Sequence, residues 1–406
     1  MAPVTECRVC GGTVEEFLDL GRQPLADAFL LPEDIDGEYF DRLAIGRCTT
    51  CTMVQLTEEV QRERVFHDDY PYHSSGSSVM AEHFTRTALG LLTTELTKPD
   101  AFFVEIGCND GSLLRTLAES GIRHLGFEPA GGVARLARER GVRVRPDFFE
   151  ESTAADVFAT EGAADVIYST DTISQIPYVA SLLGGVDALL SPDGVFVFED
   201  PYLWDVIEKT SFDQVCNERF FLFSVRSVRA MAERFGFDLV DVERLAAYGG
   251  GMRYTLARTG ARTPTPAVAR LLAEEGGQAE LKALTDFAAS VTRIRDNLID
   301  LLRTLKADGK TIVGYGATAK SSAVTNFCGI GPDLVSFVCD TTPAKQGRLT
   351  PGVHLPVRPP TAFADPYPDY ALLFAWNHAE EITAKEQEFR AAGGKWIMYV
   401  PEVRVL

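Results

Sequence analysis

The chain has 406 residues, long for one hydrophobic core and enough for two or three domains. With 46% hydrophobic and 24% charged residues it has the make-up of an ordinary globular protein, and no apolar run reaches the roughly 18 residues a membrane helix needs. An excess of 58 acidic over 39 basic side chains gives a net charge of −19, which repels a phosphate polymer and argues against nucleic acid as a partner.

The start, MAPVTECRVC, lacks a basic stretch followed by an apolar one, so no secretory signal is expected and the cytoplasm is the expected compartment. Residues 1–75 are short apolar pieces broken by Gly, Pro and Cys, too few to bury much core without a staple. Residues 76–265 alternate helix and strand. AEHFTRTALGLLTTEL (81–96) has helical spacing, FFVEIG (102–107) is a buried strand ending in glycine, and SLLRTLAES (112–120) is a helix. HLGFEP (124–129), VRVR (142–145), ADVIYS (164–169) and GVFVFED (194–200) follow as strands, with VARLARERG (133–141) and VASLLGGVDALL (179–190) as helices. Such alternation predicts a parallel, doubly wound sheet. Pro264 and Pro266 open a linker and one long helix near 267–307. The alternation then resumes in residues 266–406: TIVGYG (311–316), a helix near 320–327, LVSFVCD (334–340), YALLFAW (370–376), a helix through 380–393 and KWIMYVP (395–401). The predicted fold is α/β throughout, a Rossmann-like central domain and a second, smaller Rossmann-like unit behind an N-terminal metal lobe.

Four of the eight cysteines form two CxxC pairs, Cys7 with Cys10 and Cys48 with Cys51. Zinc takes four soft thiolates in a tetrahedron, and each CxxC turn presents two of them. With every position filled, such a site is structural. The other four, Cys108, Cys216, Cys328 and Cys339, are dispersed and suit packed interiors.

The stretch VEIGCNDGSLL (104–114) carries the functional reading. Glu105 ends a strand, and Gly107, Asn109, Asp110 and Gly111 form a turn into a helix, where a backbone without Cβ atoms passes close beneath a ligand. Acidic flanks favour a cofactor carrying an ammonium and a sulfonium over pyrophosphate, and the G-x-G-x-x-G of dinucleotide binders is absent. Glu128, ending the next strand, suits two ribose hydroxyls. Asp147 and Phe148 suit adenine, and Thr170 ends a further strand. Together these predict S-adenosylmethionine, leaving S-adenosylhomocysteine as product.

The chain resembles the sugar C-methyltransferases of antibiotic pathways, closest to their tetronitrose C-3′ branch. The resemblance runs the full length through CRVCGG (7–12), YPYHSSGSSVM (70–80), VEIGCNDGS (104–112), GVFVFEDPYL (194–203), GGGMRYTLAR (249–258), GYGATAKS (314–321), TNFCGI (325–330) and LLFAWNHAEEI (372–382). It implies methyl transfer to a ring carbon of a TDP-linked 4-keto deoxysugar, with the C-terminal unit clamping the nucleotide sugar. For the pyrophosphate, candidate donors are Arg253, Lys320, Asn326 and the run Trp376, Asn377, His378. His73 in YPYHSS is expected to face the cleft.

The resemblance also locates a departure. Where relatives read N-T-x-x-H-I-P this chain has Asp171–Pro177, and where they read D-Q-x-Y-D-E-H-x-x-x-F-S it has Asp213–Ser224. Gln175, Cys216 and Arg219 therefore stand where the family has His, Tyr and His, while Glu218 is kept, with Tyr70 and Tyr72 upstream. Arginine stays protonated and glutamine does not titrate, so neither is a base. Three readings follow: carbon methylation with Glu218, Cys216 or a tyrosine as base; a reaction redirected to another pathway intermediate; or a non-catalytic cofactor-binding partner.

Overall fold

The computed structural model describes residues 4–65, 74–76, 78–276 and 281–406. Tyr70, Tyr72 and His73 lie outside the described residues.

The central sheet has seven strands in the order Phe237–Leu245, Gly251–Arg258, Leu190–Pro201, Ala164–Thr170, Phe102–Ile106, Arg123–Phe127 and Val144–Arg145. All neighbours run parallel except Gly251–Arg258, which is antiparallel to both its partners. Strand Phe102–Ile106 is buried at every position, which is why its apolar residues show no period of two. The strand order reverses beside it, so the crevice above its C-terminal end is the natural ligand site.

The C-terminal sheet repeats that logic in the order Val357–Arg358, Val338–Cys339, Ile312–Tyr315, Tyr370–Leu373, Lys395–Met398 and Arg404–Val405. Only its last pair is antiparallel. Its switch point lies between Ile312–Tyr315 and Tyr370–Leu373. The N-terminal lobe is an antiparallel sheet of Val14–Pro24, Phe40–Cys48 and Val54–Leu56, extended by Phe221–Leu222 from the central chain. The alternating pattern did not foretell that fourth strand, because two residues carry no period. Nor did it foretell the hairpin Phe237–Leu245 with Gly251–Arg258.

The predicted long helix is two, Pro266–Glu275 and Leu281–Ala307. Glu275 closes the first. Its carboxylate is buried and accepts the N–H of Val225 (2.6 Å), the N–H of Arg226 (2.8 Å) and the Tyr202 hydroxyl (2.8 Å). It thereby occupies the positive end of helix Val225–Arg234 and pins the linker to the central domain. Among the described residues no helix is long and apolar enough to cross a membrane.

Glu275→Ala strands the buried N–H of Val225 and the half-buried N–H of Arg226 and is expected to cost about 2–4 kcal/mol in urea unfolding. Its exposed neighbour offers the control: Glu274→Ala should stay within about 0.5 kcal/mol.

Candidate functional site

The four sulfurs of Cys7, Cys10, Cys48 and Cys51 lie within 4.8 Å of one another. Backbone N–H groups donate to them, from Val9 to Cys7 Sγ, Gly12 to Cys10 Sγ, and Thr50 and Cys51 to Cys48 Sγ, all at 3.4–3.5 Å. Such donors stabilise thiolate charge, and the closed set of four fits tetrahedral zinc with no position left for water.

A single cavity of about 1510 Å³ runs from the C-terminal end of the central sheet to that of the second sheet. At the first end Glu105 is buried, and its Oε2 has no hydrogen-bond partner among the described residues. Burial, reinforced by Asp110 and Glu128, pushes its carboxyl well above the ordinary range, a cost that a cationic ligand would relieve. Gly107 has φ +70°, and a Cβ there would run into the Thr172 side chain, so this position takes only glycine without strain. Asn109 and Glu128 also line the cavity. Glu128 accepts the N–H groups of Asn109 and Ala130, both at 2.9 Å, and burial raises it to about 7. Asp147 and Phe148 line the same cavity, with Arg62 of the zinc lobe 4.0 Å over the Phe148 ring. Thr170 lines the wall at the switch point.

Two members of the predicted bend stand behind that wall. Asp110 accepts from Ser75 N (3.1 Å) and Ser112 Oγ (2.7 Å) and pairs with Arg140 at 2.9 Å, while Gly111 packs against Val142. They shape the bend without facing the cavity, because a carboxylate beside a guanidinium is already satisfied.

Gln175, Cys216, Glu218 and Arg219 all line the middle of the cavity. Gln175 Nε2 donates to Asp171 O (2.7 Å). Arg219 donates to Asp171 Oδ1 (2.6 Å) and Gln214 O (2.9 Å), yet its buried Nε–H has no acceptor among the described residues. Burial raises the Cys216 thiol to about 11, and burial together with Asp27 raises Glu218 to about 8. At the far end, Lys320, Trp376, Asn377 and His378 line the cavity beside the Gly316 turn. Trp376 Nε1 and Tyr399 Oη both donate to the buried Asp213 carboxylate, at 2.6 and 2.5 Å. Asp213 thus ties the central chain to the second unit, a role the sequence pattern did not reveal.

Arg253 and Asn326 do not reach the cavity. Arg253 is spent on Glu199 (2.6 Å) and Glu243 (2.6 Å), and the Asn326 amide donates to Ser322 O (2.8 Å) and Pro351 O (3.0 Å). The glycine-rich turn before Arg253 serves packing instead: a Cβ on Gly249 would meet the Trp376 ring. Asp27, Arg62 and Lys345 join the lining unannounced, and Asp171, which opens the departed motif, joins it too. No local signal marks the first three, since each comes from a different part of the chain.

Family models match three consecutive stretches: a zinc binding domain over residues 7–66, a methyltransferase domain over 80–242 and a C-methyltransferase C-terminal domain over 246–401. The chain is 36% identical to the C-methyltransferase NovU of Streptomyces niveus over 412 residues, covering 100% of this chain and 97% of NovU. Solved structures with similarity include magnesium protoporphyrin IX methyltransferase from Synechocystis PCC 6803 with bound S-adenosylmethionine, at 12% identity and TM-score 0.33 over 44% of this chain and 79% of that one. The glycopeptide N-methyltransferase MtfA in complex with the same cofactor gives 15%, 0.34, 43% and 93%.

Gly107→Ala is expected to weaken S-adenosylmethionine binding by about tenfold or more in calorimetry, from the clash with Thr172 and the left-handed φ. Metal analysis should return one zinc per chain, lost in Cys48→Ser together with a lowered Tm.

Proposed function

The chain belongs to the S-adenosylmethionine-dependent C-methyltransferases, and from that premise we propose that it methylates a ring carbon beside the ketone of a TDP-linked 4-keto deoxysugar, with Glu218 as the base. The observation that carries this reading is the continuity of the cavity: the cofactor bend and the Gly316–Lys320 turn open into one space, with Glu218 and Arg219 between them. At about 1510 Å³ it exceeds the roughly 300–1,000 Å³ of a pocket for one small ligand, and so has room for cofactor and nucleotide sugar together.

When bound, S-adenosylmethionine supplies an electrophilic methyl group. Glu105 holds the ammonium end, Glu128 the ribose hydroxyls, and Asp147 with Phe148 the adenine. Lys320 takes the pyrophosphate, with Asn377 and His378 beside it. Burial lowers the basicity of His378, so at neutral pH it acts as a neutral donor or acceptor.

The acceptor carbon is a weak acid made stronger by the neighbouring ketone, and its proton passes to a Glu218 carboxylate oxygen. At about 8 it is a far stronger base than an ordinary carboxylate, and it acts through the minor fraction that is ionised at neutral pH. The unpartnered Arg219 Nε–H is a fixed donor for the enolate oxygen that forms. Gln175 and Asp171 hold the segment against which Arg219 rests. Cys216, at about 11, remains a thiol at neutral pH, which removes it both as base and as a competing methyl acceptor.

Incubation with labelled cofactor and a panel of TDP-4-keto deoxysugars is expected to give a C-methylated sugar and S-adenosylhomocysteine. Glu218→Gln should lower kcat by about 10²-fold or more, and Arg219→Lys by a similar factor. Cofactor binding with no transfer to any sugar of the panel would overturn the reading. Glu218 also gives a stability test. Its folded value lies above the ordinary carboxylate range, so the folded state holds this proton more tightly and loses stability as pH rises through about 8. Glu218→Gln should therefore raise Tm by a few degrees at about pH 8.5 and change it little at about pH 5.

A further inference from the structure

The zinc lobe does more than cap the fold. Near its C-terminal end the short helix Arg62–Val65 sets one side chain on the cavity wall. The Arg62 guanidinium lies 4.0 Å from the centre of the Phe148 ring and 5.2 Å from that of Tyr178, and all three residues line the cavity. Its Nη1 donates to Glu150 Oε1 at 2.6 Å, which ties it to the segment that carries Phe148. Two consecutive rings part company in that segment. Phe149 is buried and packs edge-on against Phe127, with ring centres 5.1 Å apart. Phe148 is half-buried and lines the cavity. The core of the central domain fixes one ring, and a guanidinium from another domain covers the other.

We infer that Arg62 is a positioning residue of the cofactor site: it holds the Phe148 ring in one orientation for the adenine, so the zinc lobe contributes a side chain to S-adenosylmethionine binding. The inference rests on the placement of adenine at Asp147 and Phe148. A planar guanidinium stacks on an aromatic face, and the pairing with Glu150 keeps it from swinging out into water. A half-buried ring on a cavity wall has rotational freedom that a ligand must remove on binding. A ring fixed beforehand spares the ligand that cost. Stability is the weaker account of the same contact. The Arg62 and Glu150 side chains are 28% and 34% exposed, and an ion pair so open to water adds little to folding. The lobe also has a docking contact separate from Phe148, since Glu59 accepts the Tyr178 hydroxyl at 2.6 Å.

The test is calorimetry on the full-length, zinc-loaded protein and needs no sugar. Its two ligands are S-adenosylhomocysteine and methylthioadenosine, which keeps the adenosine but lacks the amino-acid end. Arg62→Ala is expected to weaken both by the same factor, about fivefold. Glu105→Gln should weaken S-adenosylhomocysteine alone. In a Phe148→Ala background, adding Arg62→Ala should cost less than about twofold more, because no ring is left to hold. Glu59→Ala removes the separate docking contact and should change either affinity by less than about twofold. Wild-type affinity in Arg62→Ala, an undiminished effect in the Phe148→Ala background, or an equal loss in Glu59→Ala overturns the inference. Should Arg62→Ala fail to fold, Arg62→Lys decides, since lysine keeps the charge without the planar stack: a loss of about threefold supports the role, and unchanged affinity overturns it. Phe148→Ala separates the two readings. If it leaves methylthioadenosine binding intact, the placement of adenine falls; if it weakens that binding while Arg62→Ala does not, only the role of Arg62 falls.

Discussion

Four sulfurs within 4.8 Å of one another bind the ends of a lobe that has little core of its own, and much of the molecule's working geometry follows from that closure. Cys7 and Cys10 precede strand Val14–Pro24, and Cys48 and Cys51 close the hairpin it forms with Phe40–Cys48. A zinc-locked hairpin is stiff enough to deliver the turn at its far end to a fixed place. That turn touches both α/β units at once, and the lobe is further tied to the second unit by the hydrogen bond between Glu38 and His354 (2.7 Å) and to the central domain by that from Tyr178 to Glu59 (2.6 Å). The metal never meets the cavity, yet it orients the wall of it.

The two α/β units solve one problem by the same means. Each reverses its strand order, and each reversal leaves a crevice at the strand ends. Setting the crevices face to face creates one long space instead of two shallow ones. Asp213 is the bolt between them, since a buried carboxylate takes donors from Trp376 and Tyr399 and would be costly without them. At the central-sheet end the bend is acidic and glycine-lined; at the other end Lys320 and Asn377 stand with Asp340, Glu380 and Glu381. The chemistry of each end follows from the side chains that its turn leaves facing the cavity.

Gln175, Cys216 and Arg219, which stand where the resembled family has histidine, tyrosine and histidine, bring neither imidazole nor phenol to this stretch of the cavity. The arginine keeps a donor in place, the thiol is rendered inert by burial, and the remaining carboxylate is moved upward by its surroundings. Here the environment of a retained residue matters more than the identities of the lost ones, because a shift of one pKa unit is worth about 1.4 kcal/mol between protonation states.

Local signals were enough to read the zinc knuckles, the alternation of helix and strand and the glycine bend with Glu105. Metal geometry, strand burial and tight turns are all set by residues a few positions apart. The same reading placed Arg253 and Asn326 at the substrate, where the folded chain spends both on neighbours from distant segments. Asp27 and Glu218 are far apart in sequence, and only closure of the zinc lobe over the cavity puts both on its wall. Side-chain type and spacing thus determined which chemistry the chain can perform, while long-range packing decided which of the eligible charges are free to perform it, since a buried charge is available only if no partner has already satisfied it.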